Sequence, residues 1–218
     1  SVPAPEAKPV KPVAEAAKPE QTIAKAPDIS IHRAVTERNI EAIKQHLAAG
    51  TDINTKVKGG TRGGTPLHWA ILNNNKKIIE LLITNGADVN AKANANNKKT
   101  PLDWAISYNS QPEIVELLIS KGADVNARRN DGSTPLDWSD GEIADLLRKH
   151  GGKHGTIRGA ARGGDIEAVK EFLAAGADVN AINSLGHTLL DSIARLTYQD
   201  IADLLRKHGG KTAEELKA

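Results

Sequence analysis

The chain has 218 residues, a net charge of +2 and 3% aromatic residues, with no Cys and no Met. The absence of Cys excludes disulfides, thiolate catalysis and Cys-ligated zinc together, and no apolar run approaches the roughly 18 to 20 residues that span a bilayer. So small a net charge does not by itself imply a nucleic-acid binder, so any basic surface is local, and the core must be built from Leu, Ile, Val and Ala.

Six of the ten prolines fall within residues 1–27, interleaved with Ala, Lys and Glu and without amphipathic period. This composition predicts a disordered, semi-extended tether. A chain that starts at Ser1 and holds no Met is expected to have lost an upstream segment. That segment is either a secretory signal or membrane anchor, or an arbitrary end point, so a cytoplasmic and an exported or periplasmic location both stay open.

Repetition begins after the tether. Residues 31–54, IHRAVTERNIEAIKQHLAAGTDIN, align without gaps with residues 157–180, IRGAARGGDIEAVKEFLAAGADVN. Between them TPLHWA (65–70), TPLDWA (100–105) and TPLDWS (134–139) recur with a period of about 34 residues. A second phrase keeps the same beat: GTDINT from Gly50, then GADVNA from Gly86, Gly122 and Gly176. Thr65 is a helix N-cap and Pro66 fits the first helical position, where its missing N–H costs nothing. His68, three residues past that cap, is placed to hydrogen-bond back to the Thr hydroxyl or the turn backbone. Ile78, Ile79, Leu81, Leu82 and Ile83, matched one repeat later by Ile114, Val115, Leu117, Leu118 and Ile119, leave one broad apolar face on a second helix. Gly86 and Gly122 fall where such a helix ends in a left-handed residue. Each repeat is therefore a helix pair plus a turn.

Thr-Pro-Leu-His opening one helix and Gly-Ala-Asp-Val-Asn closing the next resemble the ankyrin repeat family, in a bacterial style, over roughly residues 28–211. The resemblance implies an all-α solenoid of about six stacked helix-turn-helix units with β-hairpin or loop fingers. It also implies a structural role for His68 and a non-enzymatic, monomeric module that binds a protein through hairpin tips and the concave face of the first helices.

The array divides. Residues 142–153, EIADLLRKHGGK, are nearly identical to residues 200–211, DIADLLRKHGGK, and both read as closing caps. We expect an array of about four repeats over 28–153, its last shortened, and two further repeats over 154–211, the product of duplication. Two repeats rarely bury enough surface alone, so the second block should dock on the first. An irregular first helix after Thr134 and a kink or offset near residues 151–155 are predicted. In the last repeat Leu189 stands where Pro is usual and Ser192 where Trp is usual, which weakens that helix. Residues 212–218 form a polar tail, predicted as a short helix with Thr212 and Glu215 in a capping box.

Function should lie where repeats vary. The first finger carries Lys56, Lys58 and Arg62, the second Lys92, Lys98 and Lys99, the third Arg128, Arg129 and Asp131. Eight bases against one acid along one edge favour an acidic partner; the plain alternative is a solvated turn surface. The first two fingers are the longest, with a Gly-rich insertion at 59–64 and polar residues at 94–97. Insertions in repeat arrays often mark the binding face. The candidate partner-binding residues are thus Lys56, Lys58, Arg62, Asn96, Lys98, Arg128, Arg129 and Asn130 on the fingers, with Leu72, Asn73, Ser107 and Tyr108 at first-helix ends. Tyr108 is the best single anchor, since aromatics are enriched among binding hot spots; packing on the next repeat is its other reading. Trp69, Trp104 and Trp138 recur with the framework and read as packing residues.

Catalysis finds no support. Gly210-Lys211-Thr212 imitates the end of a phosphate-binding loop, but the first glycine of that motif falls at Leu205, and no strand precedes it. Gly59 and Gly64 have the right spacing with Thr65 where the lysine is needed. Asp103, Asp137 and Asp191 take the place of His68 and read as caps, while His150 and His208 sit at helix C-termini, where the dipole favours them. No nucleophile, base and orienter come together, and neither cofactor nor metal is implied. The rival functional readings are a regulatory accessory whose fingers contact nucleic-acid phosphates, separable by salt dependence, and a structural spacer.

Overall fold

Each Thr that opens a repeat organises its own helix start. Thr65, Thr100, Thr134 and Thr188 lie in extended backbone, and each closes a reciprocal capping box with the residue three positions on: His68, Asp103, Asp137 and Asp191. The computed structural model describes residues 25–57, 63–93, 98–194 and 196–218. Residues 1–24 of the expected tether at 1–27, Lys58, Arg62 and the 94–97 insertion with Asn96 lie outside the described residues.

Among the described residues helices follow one another in pairs: α1 (Ile31–Thr36) and α2 (Ile40–Ala48), α3 (Pro66–Leu72) and α4 (Lys76–Thr84), α5 (Pro101–Ser107) and α6 (Pro112–Ser120). The fourth pair is a 3-10 helix, η1 (Pro135–Trp138), with α7 (Gly141–Lys149); then come α8 (Ile157–Arg162) with α9 (Ile166–Ala174), and α10 (Leu189–Ile193) with α11 (Gln199–Lys207). The first helices α1, α3, α5, η1, α8 and α10 stack in that order. This is the all-α solenoid expected, with the irregular helix after Thr134 present as η1.

The apolar faces are buried as their spacing requires. Ile78, Ile79 and Leu82 of α4 and Ile114, Val115 and Leu118 of α6 are inaccessible, as are Leu67 and Leu102 at the starts of α3 and α5. Each such side chain contributes roughly 1.5–3 kcal/mol. Gly86 and Gly122 end α4 and α6 at φ of 91° and 89°, conformations that Cβ disfavours.

Buried apolar side chains form two clusters, one from Ile31 to Leu147 and one from Ala160 to Leu205. The seam between them is polar. Asp137 of η1 accepts from His154 Nδ1 at 2.9 Å, from the Gly155 amide at 3.1 and 3.2 Å and from the Thr156 hydroxyl at 3.2 Å. Beneath it lies Gly159, whose position has no room for a side chain: a Cβ there would stand 2.7 Å from Asp137 Cβ.

A second device ties repeats at their outer edge. Asn90 Nδ2 donates to the Gly122 carbonyl at 2.9 Å while its Oδ1 accepts from the Asp124 amide at 2.8 Å. Asn54, Asn126 and Asn180 make the same pair of hydrogen bonds to Gly86 and Asp88, to Gly151 and Lys153, and to Gly209 and Lys211. The final Asn of each Gly-Ala-Asp-Val-Asn phrase is therefore a clamp onto the following repeat.

One expectation is narrowed and one corrected. Of the β-hairpin or loop fingers expected, the described residues show loops without strand, with backbone bonds at their bases such as Ala93 N–H to Lys99 O at 2.9 Å and Arg129 N–H to Ser133 O at 2.9 Å. The tail makes the predicted capping box, Thr212 N–H to Glu215 at 2.7 Å and Glu215 N–H to Thr212 Oγ1 at 3.2 Å, yet forms turns, not a helix. Few residues follow the cap, too few to propagate a helix.

Candidate functional site

The α-helical stack fixes where each finger points. Lys56 at the base of the first finger, Lys92 and Lys98 on the second and Arg128 on the third are exposed. Lys98 takes a left-handed backbone, φ 47°, that turns the second finger back toward α5. Lys99 behind it is half-buried, donates to Ser107 Oγ at 3.0 Å, and has its pKa pushed down by burial and by the neighbouring Arg129 charge. Ser107 is thus tied to the finger base, and Asn130 is exposed at the third tip.

Arg129 departs from expectation. Its side chain is 3% exposed and lies against Asp103, itself 1% exposed, with Nε donating to Oδ1 at 2.9 Å. The cation therefore faces inward and neutralises the carboxylate that caps α5, so it is not available at the tip. Arg128 is exposed but anchored, since Nη1 donates to the carbonyls of Gly132 at 2.9 Å and Gly155 at 3.2 Å. Asp131 stays with its own finger. Burial would raise its pKa, but hydrogen bonds from Ser133 and the Arg129 charge outweigh that and hold it low.

At the first-helix ends the assignments also divide. Leu72 packs against the main core. Asn73 donates to the carbonyls of Val35 at 3.3 Å and Thr36 at 3.4 Å while its own carbonyl accepts from Arg38, so it links α3 to α1. Tyr108 is 40% exposed and packs edge-on against Trp104, one turn back on its own helix, ring centres 5.4 Å apart.

The tryptophans are not equivalent. Trp104 is buried and meets Trp69 edge-on at 6.2 Å, as packing residues should. Trp138 is 50% exposed, with its indole N–H on Ser133 Oγ at 2.8 Å and its ring 5.1 Å from the Arg129 guanidinium carbon. Two features leave it uncovered: η1 ends after four residues, and α8, the next first helix, places Ala160 where α3, α5 and η1 place Trp.

His68 is held as a neutral ring. Its Nδ1 accepts from the Thr65 amide at 3.2 Å, which assigns the proton to Nε2, 3.2 Å from the Lys99 carbonyl. Burial lowers its pKa to about 4. Among the described residues no group of three or more His, Cys, Asp or Glu side chains could hold a metal ion. No described helix is long and apolar enough to cross a membrane.

The structural features that composition and spacing did not reveal are the Asp103–Arg129 pair, the Asp137–His154 seam and the Asn clamps. Only the clamps left a trace, as an Asn recurring in every repeat phrase. Comparison with known families agrees with the architecture: the family model for ankyrin repeats (three copies) matches residues 31–129, and that for a single ankyrin repeat matches residues 131–184. No curated protein matches the chain.

Proposed function

The chain belongs to the ankyrin repeat family, and on that premise we propose that it is a non-enzymatic module binding an acidic protein partner through its finger tips and the concave face of its first helices. Ankyrin repeats are generally protein–protein interaction modules. The observation that carries the finer reading is the row of exposed cations Lys56, Lys92, Lys98 and Arg128 on three successive fingers, in a chain whose net charge is only +2. Such a row steers encounter and selects against basic partners more than it adds affinity. Affinity needs an anchor. Tyr108, half-exposed behind the second finger and held by Trp104, supports that role because a rigid aromatic loses little entropy on binding.

The test is affinity capture from host extract with the full chain beside a Lys56→Glu, Lys92→Glu, Lys98→Glu variant. One acidic protein retained by the parent and lost by the variant supports the reading. Identical proteins on both chains, or none, reject it. Retention of nucleic acid with a steep salt dependence would instead favour phosphate contact.

A further inference from the structure

The connection between α7 and α8 runs only from His150 to Thr156, so this repeat has no finger. Its absence leaves an open slot between the third finger and the fourth, floored by α8. The slot encloses about 740 Å³, the size of a site for a large side chain with neighbouring backbone. Trp138 forms one wall and Leu185 the other. Leu185 is 76% exposed and Ile182, beside it on the fourth finger, 59% exposed.

The walls are fixed before anything binds. On one side Arg128 ties the third finger to Gly155 at 3.2 Å. On the other, Arg158 of α8 donates to the Thr188 carbonyl at 3.3 Å, to the Ala181 carbonyl at 3.1 Å and to the Ser192 hydroxyl, which holds the fourth finger and α10. A preformed site avoids the entropic cost of ordering on binding. The carboxylates at the rim serve their own turns: Asp131 accepts from Ser133, and Asp178 from the Asn180 amide at 2.8 Å. Arg162, which lines the slot, has no carboxylate within ion-pair distance among the described residues.

Finger chemistry therefore changes along the array, from exposed Lys and Arg on the first three to Ile182 and Leu185 on the fourth. We propose that the slot receives a large apolar side chain of the same extended, acidic segment that the basic fingers hold, so that the partner sequence joins an acidic run to one bulky apolar residue. This rests on the proposed function and adds the partner's second recognition element.

The test is selection of random linear peptides displayed on phage against the full chain. In parallel, selections use a Leu185→Ser variant, which alters a wall of the slot, and the triple Lys→Glu variant, all checked for an unchanged melting curve. Peptides that pair acidic residues with a large apolar one, and after resynthesis bind the Ser variant at least about tenfold more weakly, are the expected result. Acidic peptides without an apolar preference that bind parent and Ser variant equally overturn the slot and leave the basic-finger reading intact. Apolar peptides without acids that need Leu185 keep the slot and overturn the acidic partner. No enrichment on the parent overturns both.

Discussion

Arg129 reaches from the third finger into the stack and meets Asp103 of the preceding repeat, with Nε 2.9 Å and Nη2 2.8 Å from the same carboxylate oxygen; the first is a hydrogen bond, the second an ion-pair contact. The carboxylate's other oxygen accepts from the Thr100 amide at 2.9 Å and the Thr100 hydroxyl at 3.1 Å. Asp103 can cap α5 from inside the protein because Arg129 neutralises it there.

Removing one partner leaves the other charge buried, which costs about 3–5 kcal/mol. Arg129→Ala should therefore lower the urea unfolding free energy by about 3 kcal/mol, whereas Arg128→Ala, exposed and hydrogen-bonded to carbonyls alone, should cost about 1 kcal/mol. Equal losses from the two would show that the buried pair is not what holds this repeat junction.

Acid should weaken the fold through His68. Its pKa is about 4 in the folded chain against an ordinary 6.5, so the unfolded chain binds the proton first. Stability is then full above pH 6.5 and declines as pH falls from 6.5 to 4, by up to about 3 kcal/mol from this residue. His32, also lowered by burial, acts in the same direction. His68→Asn retains an acceptor for the Thr65 amide without a titrating group. Urea midpoints at pH 7, 5.5 and 4.5 should fall less steeply for that variant, and parallel curves would rule the mechanism out.

The Asn clamps predict a cost at an exposed position where substitution is usually silent. Asn90→Ala removes both bonds to the next repeat and should lower stability by about 1–2 kcal/mol. Asn90→Asp keeps the acceptor for the Asp124 amide and should lose about half as much. Thermal melts of the two variants decide it: an Ala variant that melts with the parent would make the clamps incidental.

What the sequence disclosed was what short range determines. Thr65, Pro66 and His68 lie within one turn, so their capping box could be read directly, and so could the apolar face of Ile78, Ile79 and Leu82. Arg129 and Asp103 lie a repeat apart, and finger position alone argued for exposure; nothing local marks a side chain that turns inward. Trp138 was misplaced for a similar reason, because its burial depended on Ala160 in the next helix and on η1 stopping early. The slot follows from a missing finger, which is visible as a short connection only once the repeats are stacked.

Gly159 offers the sharpest test of the polar seam. A Cβ there would overlap the Asp137 carboxylate, which cannot swing aside without giving up His154 Nδ1 at 2.9 Å and the Gly155 amide. Gly159→Ala should therefore cost about 2–3 kcal/mol, at the upper end of ordinary overpacking, although alanine favours a helix. Asp137→Ala should also cost about 2–3 kcal/mol, since it unpairs the cap and His154. In the double variant the carboxylate contacts, the closest of the clash, are gone and only the 2.7 Å approach to the Cβ of residue 137 remains, so its loss should fall at least about 1 kcal/mol short of the sum of the singles. Strict additivity in urea denaturation would mean that the backbone of α8, and not the Asp137 side chain, excludes a residue larger than glycine, and the two apolar clusters would then be joined by something other than this seam.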